Sequence, residues 1–349
     1  MGILKIKHIL LTLIAFILFG SVAIPFPVMA TPQSDAGFSV RAKLPDNQLD
    51  KNLTYFDLRM LPEQEQQLEV EITNQLDIPL LINAETISAS TNRHGIIDYT
   101  TPAIYDKTLQ VPFSRIATMA KTSIIVPARS SETAIIDITM PEESFDGIIL
   151  GGLVFTRENE GPKETSTTTI NNIFSYVIGV KLSENDVVVM PQFELANVAP
   201  ATVNYRPEFV HEIRNTQAAI VKGIDIIISV EDQHGMTWAK TNKTNIDMAP
   251  NSNMPLGIAS ENGKFKAGKY TSTVLIKYNE EIFTYQRDFV ITAAQADSIN
   301  DEIITESPTI NLQHILLALL MVVIVLILSL VWLIQKQRKA QKGATHDEI

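Results

Sequence analysis

The chain has 349 residues, a formal net charge of -11 at pH 7 and no cysteine. The lack of cysteine excludes disulfides, thiolate metal sites and a cysteine nucleophile. The acidic balance repels phosphate backbones, so nucleic acid is a poor partner.

The N-terminal residues 1–30 have the organisation of a secretory signal peptide. Lys5 and Lys7 precede the apolar stretch Ile9–Phe19, which is too short to span a bilayer comfortably. Val28-Met29-Ala30 then provides a small-residue cleavage site. We predict export with cleavage after Ala30; the alternative is an uncleaved membrane anchor.

Residues 31–185 are predicted to form a first all-β domain. Gln67–Asn74 and Thr133–Met140 alternate apolar and polar residues, which is typical of half-buried strands. Ile148–Thr156 and Ile173–Leu182 are predicted to form a hairpin. About seven short strands separated by turns indicate an immunoglobulin-like β-sandwich. Gly151-Gly152 inside a strand predicts a bulge or a close approach of another backbone.

A long insertion, Thr91–Lys121, interrupts this pattern. Pro112 is placed to open one or two helical turns. Loops of this length in compact domains are commonly functional, and the alternative is a lid over one edge of a sheet.

Residues 186–294 are predicted to form a second immunoglobulin-like sandwich. Residues 224–230 alternate, and Asp232–Gly235 reads as a turn. The tight turn Asn279-Glu280 joins two further strands. Residues 295–314 are polar and acidic, and we interpret them as a stalk or a short helix.

Residues 315–334 contain twenty residues without a charge, the length of a transmembrane helix. The tail 335–349 begins with a basic cluster, which favours a cytoplasmic C-terminus. The predicted class is therefore all-β, with two extracellular immunoglobulin-like domains and one C-terminal transmembrane α-helix. The predicted location is the cell membrane, in a single-pass orientation.

No catalytic motif is recognisable in the sequence. His94, His211 and His234 are not at metal-ligand spacing, and no nucleophile elbow or phosphate loop occurs. Glu142-Glu143 are neighbours in sequence and point apart, unlike the paired carboxylates of a glycosidase. We predict a non-enzyme that needs no cofactor and holds no metal.

Several long motifs resemble the WxL-interacting proteins of Gram-positive cell surfaces. These motifs are Phe38-Ser39-Val40, Leu44–Gln48, Tyr55–Leu58, Thr91-Asn92, Gly95, Ile97-Asp98-Tyr99, Phe145–Gly152, Met248–Asn253 and Ala267–Tyr270. The resemblance implies a peptidoglycan-binding domain, then a host-binding domain, one membrane span and a basic tail. The partners it implies are WxL-domain surface proteins, peptidoglycan and host surface or matrix proteins.

Candidate contact residues for peptidoglycan or a protein partner are Asn47, Gln48, Tyr55, Asp57 and Asn92. Together they offer amide, carboxylate and aromatic groups suited to glycan or peptide contact. The alternative is that Asn47 and Asn92 form turns and that Tyr55 belongs to the core. A different functional class also stays open, namely a membrane-tethered scaffold or chaperone that assembles exported partners by pairing with their strand edges. A hydrolase without a known motif is a third hypothesis.

Overall fold

The computed structural model describes residues 36–100, 105–158, 173–303 and 312–343. The predicted signal peptide, the loop joining the two hairpin strands, part of the stalk and the end of the tail lie outside the described residues. The chain forms two compact units. Unit 1 comprises Met1–Gln192 with the short segments Asn215–Lys222 and Asp247–Asn253; unit 2 comprises Phe193–Arg214, Gly223–Ile246 and Met254–Ile349.

Unit 1 is built from eleven strands and one short helix among the described residues. The strands are β1 Phe38–Lys43, β2 Phe56–Arg59, β3 Glu65–Asn74, β4 Leu80–Ser88, β5 Ser90–Thr91, β6 Ile97–Asp98, β7 Ala117–Met119, β8 Ser123–Val126, β9 Ser131–Thr139, β10 Ile149–Arg157 and β11 Ser175–Ser183, and the helix is α1 Phe113–Ile116. A four-stranded sheet has the order β1-β3-β9-β7, and a five-stranded sheet has the order β2-β11-β10-β4-β8. This pair of sheets confirms the predicted all-β class.

The alternating residues of unit 1 point where the sequence pattern predicts. Leu68, Val70 and Ile72 of β3 are buried in one core with Ile136 of β9, while the intervening glutamates face outward. The two strands pair antiparallel, with Leu68 opposite Ile136. The predicted hairpin is also confirmed, because β10 and β11 pair antiparallel from Ile149 opposite Leu182 to Thr156 opposite Ser175.

The long insertion is folded onto the sheets. It contains the two-stranded β5–β6 hairpin, α1 and β7. Pro112 precedes α1 in an extended conformation and opens a single helical turn, as predicted. The Phe113 side chain of α1 is completely buried, so this part of the insertion contributes to the core.

The β5–β6 hairpin is held by the segment Asp247–Asn253, which also belongs to unit 1. The Thr91 hydroxyl accepts a hydrogen bond from the Ala249 amide (3.0 Å) and lies 2.6 Å from the Ser252 hydroxyl. The Asp247 amide donates to the Gly95 carbonyl at 2.9 Å. Two stretches that are far apart in sequence, both quoted for the family resemblance, are thus bonded to each other.

Unit 2 is built mainly from seven strands. They are β12 Phe193–Val203, β13 Arg206–Asn215, β14 Val221–Asp232, β15 Thr237–Met248, β16 Ser252–Ala259, β17 Gly268–Tyr278 and β18 Glu281–Ile291. Some of these strands have an end that falls in a segment assigned to unit 1. They form a three-stranded sheet, β12-β13-β16, and a four-stranded sheet, β15-β14-β17-β18. Asn279 adopts a positive φ of 54° in the turn between β17 and β18, where the sequence predicts a tight turn.

Aromatic packing joins the two sheets of unit 2. Phe209 of β13 lies 5.9 Å from Tyr270 of β17 and 6.0 Å from Phe289 of β18, measured between ring centroids. A buried polar contact also joins the two sheets, since Nε2 of His211 lies 2.8 Å from the Ser272 hydroxyl.

Two helices follow the strands. Helix α2, Ala293–Glu302, begins with a capping box in which the Thr292 hydroxyl accepts from the Gln295 amide. Asn300 of α2 exchanges two hydrogen bonds with the backbone of Phe265, at 2.8 and 2.9 Å, so the helix is tied to the connection between β16 and β17. Helix α3 spans Leu312–Gly343. By length and mean hydropathy, none of the helices in the described residues qualifies as a membrane span.

Candidate binding face of the first unit

The outer face of the five-stranded sheet carries a patch without side chains at its centre. Gly152 of β10 lies directly opposite Gly179 of β11. The strand neighbours Gly151 and Val180 point to the core on the other side, because successive residues of a strand alternate between faces. Two paired glycines therefore leave a shallow floor on the outer face.

Tyr99 covers this floor. A Cβ atom placed on Gly152 would lie 2.9 Å from Cδ1 of Tyr99, and one on Gly179 would lie 4.0 Å from the Tyr99 hydroxyl. Burial raises the pKa of Tyr99 to about 12, with a smaller contribution from the nearby Tyr55. The Tyr99 hydroxyl therefore stays protonated at neutral pH and remains a hydrogen-bond donor.

Tyr55 lies beside Tyr99 on the same face. Its Cβ atom is 3.8 Å from the position a Cβ on Gly179 would take, and the residue is 38% exposed. The alternative that Tyr55 belongs to the core is therefore wrong. The two tyrosines, which we call the tyrosine platform, present aromatic surface and hydroxyl groups together.

Asp57 and Lys181 adjoin the platform. They are register partners on the parallel strands β2 and β11, and Lys181 Nζ lies 3.2 Å from Asp57 Oδ2. Asp57 is 7% exposed, and its Oδ1 atom has no hydrogen-bond partner in the described residues. Buried acceptors without partners are rare in folded proteins, and a bound ligand group is one way in which such an acceptor is satisfied.

Gln48 and Asn47 brace the segment that carries Tyr55. Gln48 Nε2 donates to the Tyr55 carbonyl at 3.0 Å, and Gln48 Oε1 accepts from the Asp57 amide at 3.1 Å. Asn47 Nδ2 donates to the Arg59 carbonyl at 3.1 Å and to Gln66 Oε1 at 2.8 Å. These amide groups are engaged within the chain, and they position Tyr55 and Asp57.

Asn92 occupies the tip of the β5–β6 hairpin. Its Oδ1 atom accepts from the His94 amide at 2.9 Å and from the Ile96 amide at 3.2 Å. This is the turn-forming role that the sequence left open for Asn92.

Sequence reasoning missed Tyr99, Gly179 and Lys181 as members of this face. Tyr99 was part of a family motif, but only the fold of the insertion shows that it reaches the two glycines. The Gly151-Gly152 pair was the available signal, since it predicted a close approach without identifying the partner. Among the described residues, no group of three or more potential ligand side chains is arranged to hold a metal.

Comparison with known proteins identifies two matching family models. Residues 38–157 match "WxL Interacting Protein, peptidoglycan binding domain", and residues 165–301 match "WxL Interacting Protein, host binding domain". No curated protein matches the chain.

Among solved structures, the chain is similar to two bacterial chaperones at low identity. One is the Pseudomonas aeruginosa CupB2 chaperone, with 14% identity over 67% of this chain and 97% of that chain and a TM-score of 0.27. The other is the Escherichia coli chaperone DraB, with 12% identity over 73% of this chain and 95% of that chain and a TM-score of 0.28.

The two family models together cover most of the chain, in the order that the sequence motifs led us to expect. Both describe binding domains of surface proteins. The chain therefore belongs to the WxL-interacting protein family.

Proposed function

We propose that this protein is a non-catalytic, membrane-anchored surface protein that binds peptidoglycan through the tyrosine platform of unit 1. The observation that carries the proposal is the position of Tyr55 and Tyr99 over the paired glycines, beside the partly satisfied Asp57 carboxylate. Aromatic rings with a polar tip suit ligands that present both apolar faces and hydroxyl groups, as sugar rings do. The match of residues 38–157 to a peptidoglycan-binding family supports the ligand class.

The recognition relies on stacking and hydrogen bonds rather than on bulk charge. The net charge of -11 becomes more negative for the exported part, since Lys5, Lys7 and the basic tail lie outside it. Anionic wall polymers would be repelled by such a surface. Added salt screens charge interactions, so it should leave the contribution of the tyrosine platform to peptidoglycan binding nearly unchanged.

The test is sedimentation of the full chain, in detergent, with purified peptidoglycan at low and high salt. We expect Tyr55→Ala and Tyr99→Ala each to weaken binding roughly tenfold, because truncating an anchoring aromatic residue typically costs more than about 1 kcal/mol. The matched control is Tyr205→Ala, which removes a 62% exposed tyrosine of unit 2. Unchanged pelleting of both platform variants at low and at high salt would refute the platform.

Family membership supports two further elements of the proposed function. We propose that WxL-domain proteins associate with the chain and that unit 2, an immunoglobulin-like domain, presents a surface to host proteins. Asn47, Gln48 and Asn92 remain candidate contact residues as parts of the supporting loops. Co-precipitation of WxL-domain proteins with the full chain tests the association, and failure to recover them would refute it. Asn92→Ala should abolish binding to peptidoglycan and leave this association unchanged.

The proposed anchor rests on the uncharged run 315–334 followed by Lys336, Arg338 and Lys339. Apolar side chains within α3, such as Leu326 and Ile327, are more than half exposed, as expected of side chains that face lipid. We propose an inside C-terminus on this basis.

A further inference from the structure

A cleft distinct from the tyrosine platform opens in unit 1. Its volume is about 560 Å³, which is within the usual range for sites that bind small ligands. It is lined by residues of 107–111, 145–149 and 216–218 and by Asn251. All of these residues belong to unit 1.

Hydrogen bonds between the lining segments hold the cleft open in a fixed shape. Asn251 Nδ2 donates to the Thr108 hydroxyl at 3.2 Å and to the Thr216 carbonyl at 3.1 Å. The Ile148 amide donates to the Ala218 carbonyl at 2.8 Å. Gly147 has a φ of +96°, and a Cβ atom there would lie 2.3 Å from the same Ala218 carbonyl. The site is therefore largely preformed, which reduces the entropy lost on binding.

The lining combines an apolar floor with amide groups and two opposite charges. Leu109, Val111 and Phe145 supply half-buried apolar surface. Lys107 and Asp146 are exposed lining residues of opposite charge, and Asp146 Oδ1 accepts a hydrogen bond from Asn185 at 2.7 Å. Gln110 and Gln217 add carboxamides, which can donate to and accept from peptide groups.

This chemistry fits a short zwitterionic peptide better than a sugar. A peptide offers amides for the glutamines, small side chains for the apolar floor, and a carboxylate and an ammonium for the charged pair. A neutral glycan would leave both charges unused, and the lining holds one aromatic residue, Phe145, for stacking. We infer that the cleft binds the peptide part of peptidoglycan, with a ligand carboxylate at Lys107 and a ligand ammonium at Asp146. The inference rests on the proposed function for the source of the ligand, and it adds a second subsite to the tyrosine platform.

The experiment is calorimetric titration of the full chain in detergent with two soluble probes. The first is the pentapeptide N-acetyl-L-alanyl-D-glutamyl-L-lysyl-D-alanyl-D-alanine, which carries carboxylates and a single ammonium, on its lysine side chain. The second is the disaccharide of N-acetylglucosamine and N-acetylmuramic acid without a peptide, with its lactyl carboxyl group converted to the amide so that the probe is uncharged. We expect Lys107→Glu to weaken pentapeptide binding at least fivefold and to leave disaccharide binding unchanged, whereas Tyr55→Ala does the reverse.

Lys121→Glu is the matched control, because it makes the same charge change at an exposed lysine that does not line the cleft. Asp146→Asn is a second variant, and it should weaken binding of the pentapeptide but not of a form acetylated on its lysine side chain. Equal affinity of the wild type and Lys107→Glu for the pentapeptide would overturn the inference, as would binding of the disaccharide without binding of the pentapeptide. Neither result would contradict the proposed function. Failure of both probes and of whole peptidoglycan to bind would overturn the proposed function itself.

Discussion

Gly151 and Gly152 are neighbours on β10, and each leaves room for a different aromatic ring. A Cβ atom on Gly151 would lie 2.0 Å from Cδ1 of Phe113, which is completely buried in the core. A Cβ on Gly152 would lie 2.9 Å from Cδ1 of Tyr99, which is only half-buried on the outer face. One glycine thus serves the stability of unit 1 and the other serves the candidate binding face.

This contrast predicts different consequences for the same substitution. Gly151→Ala should lower the free energy of unfolding by about 1–3 kcal/mol or more, because a rigid core must yield to the added methyl group. Gly152→Ala should destabilise less, because the neighbours it would crowd, Tyr99 and Val177, are half-buried side chains of the outer face that can shift toward solvent, but it should weaken peptidoglycan binding. Urea denaturation and sedimentation with peptidoglycan measure the two effects. Equal losses of stability in the two variants would contradict the assignment of the glycines to opposite faces.

At the scale of strands, His211 links β13 to β17 through Ser272. Burial lowers the pKa of His211 to about 4 from its ordinary value of 6.5, against the opposing effect of the hydrogen bond to the Phe209 carbonyl. Between these two pH values the unfolded chain binds a proton that the folded chain does not. Unit 2 should therefore lose stability as the pH falls from 6.5 to 4, by on the order of 3 kcal/mol in total, and no further below pH 4 from this group.

The fluorescence of Trp238 can follow this loss. Trp238 is buried in unit 2, and Trp332→Phe would leave it as the only tryptophan of the chain, which has two. Urea midpoints measured from pH 7 to pH 4 should fall for this variant. The further double substitution of His211 by Leu and Ser272 by Ala replaces both partners with apolar groups, so it should flatten the dependence. An identical acid response in both proteins would show that His211 is not responsible.

The elements differ in how far the sequence predicts them. The strands β3, β9 and β14 have strong alternation, because one face of each is buried, and the sequence predicted them closely. Strand β12 was missed, because its burial pattern lacks clear alternation over its second half. The candidate binding face was predicted only through Tyr55 and Asp57, which share one strand end. Its other members come from β10, β11 and the insertion, and only the pairing of distant strands brings them together.

For the whole molecule, the exported location is the condition on which peptidoglycan binding depends. The N-terminal residues 1–30 and the run 315–334 are the two parts of the sequence that predict it. Neither the tyrosine platform nor the cleft could contact peptidoglycan from inside the cell. A measurement of the orientation of the chain in the membrane therefore tests the proposed function most broadly.

We expect protease added to intact, wall-stripped cells to digest units 1 and 2 and to leave a small fragment that contains residues 315–349. An epitope attached after Ile349 should stay protected until the membrane is permeabilised, because the basic residues after position 334 favour retention inside. Substituting Val325 and Leu328 of α3 together by Arg should move the protein out of the membrane fraction, since each charge near the centre of a span costs roughly 2.5–3.5 kcal/mol of insertion free energy. Ser329→Ala is the matched control, because the Ser329 hydroxyl already donates to the Leu326 carbonyl at 2.8 Å and needs no partner outside the helix. Digestion of the epitope in intact cells, or full-length protein that resists the protease, would refute the orientation. It would then also refute the exposure of unit 1 to peptidoglycan.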